Sequence, residues 1–234
     1  MPATKLEILN LLDSIKRDGI QELIHWLSES DFFTAPASVK GHGNYSGGLA
    51  DHSLNVYDSL CLLYENYMEH QDLYTRDTLI IVSSLHDVCK INTYIEDSEP
   101  ATEPQIKYLK DLLNKSENNY NIPMRELTKF YVTKVIDFLK KGEGEFPKFE
   151  TSWKVKEELP LGHGEKSVYL LQKFIDLTDI EALAIRWHLG SFEGGTHFFY
   201  PTGAAFSQAT LDVPLVSLLI SADYLSTWLV DQKV

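Results

Sequence analysis

Apolar residues recur at gaps of three and four along most of this chain, and four of the helices predicted by that spacing carry a histidine or an aspartate on the apolar face. Leu49, His52, Val56, Leu60, Leu63 and Tyr67 form one stripe. In "LIIVSSLHDVCK", residues 79–90, Leu79, Val82 and His86 share a face, with Ile80, Ser83 and Asp87 beside it. Ile180, Ala184 and His188 align in "DIEALAIRWHLG", and Val216, Leu219 and Asp223 in "VPLVSLLISADYLSTWLV". A helix of a globular protein turns its apolar stripe inward. The polar members of these stripes must therefore go inward with it.

Between the stripes the chain is punctuated by turn and cap residues. Two short N-terminal helices lead into a Gly-, Pro- and Ser-rich loop, "FFTAPASVKGHGNYSGG". His163, flanked by glycines, opens a further helix. Thr178 and Glu181 form a capping-box pattern, and Gly190 suits a C-terminal stop. A loop containing His197 follows, with Asp212 as the expected N-cap and Pro214 as the first-turn residue of the last helix. Within 91–160, "INTYIED" and "TSWKVKEELP" pair as short strands, and "EPQIKYLKDLLN" and "MRELTKFYVTKVIDFLKK" read as helices. The expected fold is all-α: one domain over 1–234, with a core at about 30–98 and 153–230 and an inserted, mostly helical lobe with a short hairpin at about 99–152.

The 234 residues are 44% hydrophobic and 12% aromatic, enough for a sizeable core. The formal net charge of -13 comes without a basic face, so a duplex nucleic acid is not an expected partner. Cys61 and Cys89 do not make a disulfide framework, which points to a reducing compartment. The N-terminal stretch lacks a signal-peptide core, and the apolar run "VPLVSLLISA" falls short of the ~20 residues of a membrane span. A cytoplasmic protein without a membrane partner is expected, and a homo-oligomer is compatible with the sequence.

A lone histidine in a core is usually satisfied by a carbonyl, but an unpaired buried carboxylate costs several kcal/mol or more. Asp223 has no Lys or Arg one turn away on its helix; Asp87 has Lys90, which alone would be a local explanation. Divalent metal accounts for all of them together. His52, His86, Asp87 and Asp223 can hold one ion, and His163 and His188 a second with Asp87 bridging. Mixed imidazole and carboxylate ligands suit Mn, Fe, Co, Ni or Zn, and Mg less well. Two such ions about 3.5–4 Å apart clamp a phosphoryl group and activate a water.

His52, the adjacent pair His86-Asp87 and the distant Asp223 resemble the H…HD…D signature of the HD-domain metal-dependent phosphohydrolases. "GGLADHSLNVY", "LHDVCK", "LGHGEKS", "RWHLG" and "ISADYLS" resemble, in order, blocks of bacterial and phage HD hydrolases, and also the HD domain attached to certain bacterial exoribonucleases. The likeness covers about 30–98 and 153–230. It implies a helical core around a buried metal site that hydrolyses phosphomonoesters or phosphodiesters, most often of nucleotides. By position, His52, His86, Asp87 and Asp223 match the core ligands, and His163 and His188 the second-metal histidines. Lys90 matches a lysine that contacts substrate phosphate, preceded here by Cys89 in place of the usual small residue. The Gly-Tyr-Pro extension of cyclic-dinucleotide phosphodiesterases is absent.

The expected function is therefore hydrolysis of a phosphate ester, of a nucleotide or related small substrate, by a metal-activated water, with Asp87 and Lys90 as catalytic residues. Two alternatives stand beside it: a 3'-5' exonuclease or phosphodiesterase on short single strands, for which no basic groove is visible, and a non-catalytic nucleotide-binding metal protein. Arg186 is a candidate for phosphate contact or for a surface pair with a nearby acid. His42, Tyr45 and His197 either roof a substrate pocket or are solvated loop residues. His25 and His70 read as surface or partly packed, and Trp26, Trp153, Trp187 and Trp228 as core.

Overall fold

The computed structural model describes residues 3–67, 73–116, 120, 122, 127–149, 151–190 and 202–231. In chain order come α1 (Ala3–Asp13), α2 (Ile20–Glu29), α3 (Gly48–Tyr67), α4 (Arg76–Leu85) and β1 (Tyr94–Glu96). Then follow α5 (Glu103–Lys115), α6 (Lys129–Lys141), β2 (Trp153–Val155) and α7 (His163–Leu171). The last are α8 (Asp179–Arg186), α9 (Thr202–Asp212) and α10 (Pro214–Leu225). The protein is mostly helical, with one two-stranded sheet, β1 with β2, among the described residues.

The chain divides into two compact units, 1–94 with 155–234, and 95–154. In the smaller unit α5 packs on α6, burying Leu109, Tyr131, Val132 and Val135. Thr102 with Gln105 forms a capping box for α5, and Thr128 caps α6. The cap sets the start of α6 at Lys129, later than the apolar pattern suggests, since its hydroxyl takes the Tyr131 N–H at 3.2 Å.

The larger unit is built around α4. Every residue from Thr78 to Leu85 is buried, so this helix is surrounded by the core rather than laid on it. α3 packs against both α4 and α10, with Leu49, Val56 and Leu60 buried at the seam, while Tyr67 at the far end of the stripe is exposed. Emptying such a position, for instance Ile81→Ala, costs about 2–5 kcal/mol.

Two helices stop early, by the same local device. α4 ends at Leu85, and Nδ1 of His86 lies 2.7 Å from the Ser83 carbonyl oxygen, which the next turn of helix would otherwise use. Asp87 then takes φ -107° and ψ 16°, and Val88–Lys90 form a short 3₁₀ turn. α8 ends at Arg186, and Nδ1 of His188 lies 2.7 Å from the Ile185 carbonyl oxygen. Gly190, at φ 58°, takes the left-handed conformation of a helix stop. The continuous helices predicted over 79–90 and 179–190 are thus broken at their histidines, because those side chains compete for the helical carbonyls.

α9 occupies part of the stretch read as loop. Asp212 closes α9, accepting from Gln208 Nε2 at 2.8 Å, rather than capping α10. Val213 separates the two helices because the residue before a proline is forced out of helical geometry, and Pro214 opens α10 as expected. Beyond Leu225 the helix widens into a π turn over Ser226–Val230. Among the described residues no single helix is long and apolar enough to cross a membrane; α9 and α10 meet that length and composition only jointly, across a 102° bend.

Candidate metal centre

Asp87 is the hub of the larger unit's polar cluster. Its Oδ2 lies 2.6 Å from Lys90 Nζ, 3.5 Å from His86 Nε2 and 3.7 Å from His52 Nε2. Its Oδ1 lies 2.9 Å from His163 Nε2 and 3.4 Å from His188 Nε2. Asp223 Oδ1 approaches His52 Nε2 at 3.2 Å. The six side chains expected to converge from five separated stretches of sequence do converge. Three-residue groups within ligand-to-ligand reach of 4.8 Å include His52–His86–Asp223, His86–Asp87–His188 and Asp87–Cys89–His163.

The ring nitrogens show what the cluster can hold. Nδ1 of His86 and of His188 each donates to a carbonyl of its own helix end, at 2.7 Å, and Nδ1 of His52 pairs with Asp231 Oδ2 at 2.8 Å. With Nδ1 carrying the proton, Nε2 of each ring presents a lone pair. All three Nε2 atoms are buried and have no hydrogen-bond partner. Unsatisfied buried acceptors beside two carboxylates are unfavourable unless a cation sits among them. Such outer partners on Nδ1 are the usual way in which metal-binding imidazoles are oriented. The buried His and Asp groups can hold a metal ion, and the residues present fit one.

Without an ion, a proton on His52 takes up part of the cation's role beside Asp223. Burial disfavours the charged form of His52, yet Asp223 and Asp231 on either side overcome it and raise its pKa to about 9. His86, as fully buried but without a hydrogen-bonded carboxylate, falls to about 4 because desolvation prevails. Burial alone would raise Asp87 and Asp223. Lys90 and His86 hold Asp87 well below the carboxylate range, and His52 and His86 do the same for Asp223. Lys90 is 8% exposed and, although burial opposes its charge, Asp87 keeps its pKa above the ordinary lysine value.

Each ligand is placed by a local feature. α7 crosses the end of α8 so closely that a Cβ on Gly164 would lie 2.3 Å from the Arg186 carbonyl oxygen. Only glycine permits this approach, which sets the His163 and His188 rings 5.6 Å apart. Buried Lys166, bonded to Glu157 and to Thr93 Oγ1 at 2.9 Å each, ties α7 to the segment after Lys90. Thr93 in turn donates to the Cys89 carbonyl.

No family model, curated protein or solved structure matches this chain. The site rests on its own geometry.

The remaining candidates separate in space. His42 borders the same cavity as Asp87, Lys90, His188 and Asp223, its ring 4.8 Å from that of His52. Burial lowers its pKa to about 4. Tyr45 donates to Asp51 Oδ2 at 3.0 Å. Arg186 pairs with Glu165 at 2.7 Å, lies over the Trp187 ring and borders a different cavity, between α7 and α8. His197 and His70 lie outside the described residues. His25 is exposed, Trp26 and Trp153 are half-buried and Trp187 is buried, but Trp228, expected in the core, is 57% exposed at the cavity.

Asp231 and Asn55, which donates to Asp231 Oδ1 at 2.8 Å, were not among the expected residues. Eight residues beyond Asp223, Asp231 would sit about 80° around a regular α-helix from it. The wider π turn rotates less per residue and returns it to the side of Asp223. Helical periodicity carries no signal for that.

Proposed function

We propose that this protein is a metal-dependent phosphohydrolase of the HD-domain type, acting on a phosphate ester of a nucleotide or a related small substrate. The observation that carries the reading is the set of three buried, unpartnered Nε2 atoms facing Asp87 and Asp223. His52, His86, Asp87 and Asp223 would hold one divalent ion, and His163 and His188 a second with Asp87 shared. Bound metal would supply Lewis-acid polarisation of the phosphoryl oxygens and a water of lowered pKa.

The chain's own residues do the rest. Helix-end carbonyls and Asp231 fix the imidazole tautomers, so no reorientation is needed when a ligand arrives. Lys90 Nζ, on the cavity wall and now on Asp87, is placed to exchange that carboxylate for a phosphoryl oxygen and to offset charge developing there. The core around α4 holds these groups on rigid elements, as a preorganised site requires.

The test combines metal analysis with a phosphate-release screen over nucleotides, cyclic nucleotides and simple phosphate esters in the presence of Mn. Expected are metal-dependent release from at least one ester, and loss of both release and bound metal on Asp87→Ala. Metal content and release that survive Asp87→Ala would overturn the assignment.

A further inference from the structure

The cavity beside the metal cluster has a volume of about 560 Å³, within the range of small-ligand pockets. Its lining is of two kinds: Asp87, Lys90, His188 and Asp223 from the polar cluster, and the largely apolar side chains of Phe206, Ile220, Tyr224 and Trp228. Lys90, paired with Asp87, is the one Lys or Arg among its described lining residues, so on the phosphate-ester reading the anionic group belongs beside it, where bound metal would add positive charge. In the apolar part of the lining Tyr224 is 63% and Trp228 57% exposed, with ring centroids 6.1 Å apart. Asp223 and Tyr224 are adjacent on α10, and Trp228 follows one turn later, so ligand carboxylate and aromatic wall belong to one helical segment. Large aromatic rings that keep more than half their surface exposed at a cavity mouth, next to a buried polar cluster, fit a flat ring laid against them.

We infer that Trp228 and Tyr224 form a stacking subsite, and that the ligand of this cavity is a phosphate ester bearing an aromatic ring, a nucleobase in the simplest case, rather than a bare sugar phosphate or an alkyl phosphate. The inference rests on the phosphate-ester reading for the anionic group alone; the ring subsite is carried by the rim aromatics. Stacking of a base on an aromatic side chain contributes about 1–3 kcal/mol, which corresponds to a preference of about 5- to 150-fold.

Adenosine 5'-monophosphate, ribose 5-phosphate and octyl phosphate serve as probes, titrated calorimetrically into the full chain, both treated with chelator and supplied with Mn. The first two differ only in the base. The nucleotide is expected to bind at least about fivefold more tightly than either other probe, and Trp228→Ala or Tyr224→Ala to bring it within about twofold of ribose 5-phosphate. Both side chains are exposed, so circular dichroism of the variants should match that of the parent. Equal affinity for the three probes, tighter octyl phosphate binding, or a nucleotide preference that survives both substitutions would each overturn the inference. So would a shift from dimer to monomer in sedimentation with the preference unchanged, which would assign the aromatic patch to self-association. Ring-dependent binding without turnover of any ester would overturn the phosphohydrolase reading and leave the stacking subsite standing. Equal release of phosphate from the nucleotide and from ribose 5-phosphate would do the reverse.

Discussion

Nδ1 of His52 lies 2.8 Å from Oδ2 of Asp231, a carboxylate 179 positions away whose side chain is 4% exposed. The contact settles which face of the imidazole turns toward Asp223. A regular helix would not have delivered Asp231 there; the π turn at Ser226–Val230 does.

That pairing makes Asp231 a positioning residue for the metal site. Asp231→Ala is expected to weaken metal affinity about 10- to 100-fold while leaving the helical content unchanged. Asp231→Asn, which keeps an acceptor oxygen, should lose less. Competition against a chromophoric chelator measures both, and an unaltered affinity in the alanine variant would remove Asp231 from the site.

Lys90 and Asp87 are both buried, so each supports the other when no ion is bound. In chelator-treated protein, Lys90→Met should destabilise by about 1–3 kcal/mol, because it removes the charged partner of Asp87 Oδ2 and leaves only the imidazoles around that buried carboxylate. With Mn present the loss should shrink markedly, since the ion then supplies the opposing charge. Urea unfolding under the two conditions reads the difference. Equal losses would mean that the lysine is structural and independent of any metal.

A pH dependence resides elsewhere in the larger unit. Arg17 grips Glu181 at 2.7 and 2.9 Å, and Glu181 also accepts from the Thr178 N–H at the start of α8. Burial alone would raise the pKa of Glu181, but Arg17 and the Thr178 backbone lower it below the ordinary value of 4.5. A carboxylate whose folded pKa is depressed binds its proton more readily unfolded. Its contribution is therefore complete above 4.5, and is lost as the pH falls below 4.5 and through the folded value. Arg17→Ala should cost about 2–3 kcal/mol at pH 7, at or below the range for fully buried pairs, because the Arg17 side chain is 22% exposed. Between pH 7 and pH 3 the gap between parent and variant should narrow; thermal melts across that interval test it.

Much of the site was legible in the linear chain. His52 and Asp223 interrupt apolar stripes, and a buried charge on an apolar face demands a partner; that argument needs no coordinates. The Thr178–Glu181 capping box and Pro214 at a first turn are local patterns, and local patterns survive folding; the strands in "INTYIED" and "TSWKVKEELP" do pair, but across the intervening α5 and α6. What periodicity misplaced were events that break periodicity: helix ends at His86 and His188, α9 in an expected loop, and Asp212 at a C-terminus instead of an N-cap. Trp228 was misjudged for a related reason. Hydrophobicity says that a tryptophan is costly to expose, and nothing in the spacing marks this one for the rim of a cavity.

The sequence by itself determined that this chain is helical and that histidines and aspartates travel inward on its apolar faces, because side-chain burial follows from spacing along each helix. The tertiary structure alone decided how those side chains meet. Gly164 lets α7 close on α8, the imidazoles end their own helices, and the π turn folds Asp231 back onto His52. These outcomes depend on backbone approach and on competition for single carbonyl groups, whose energies are set by neighbours distant in the chain.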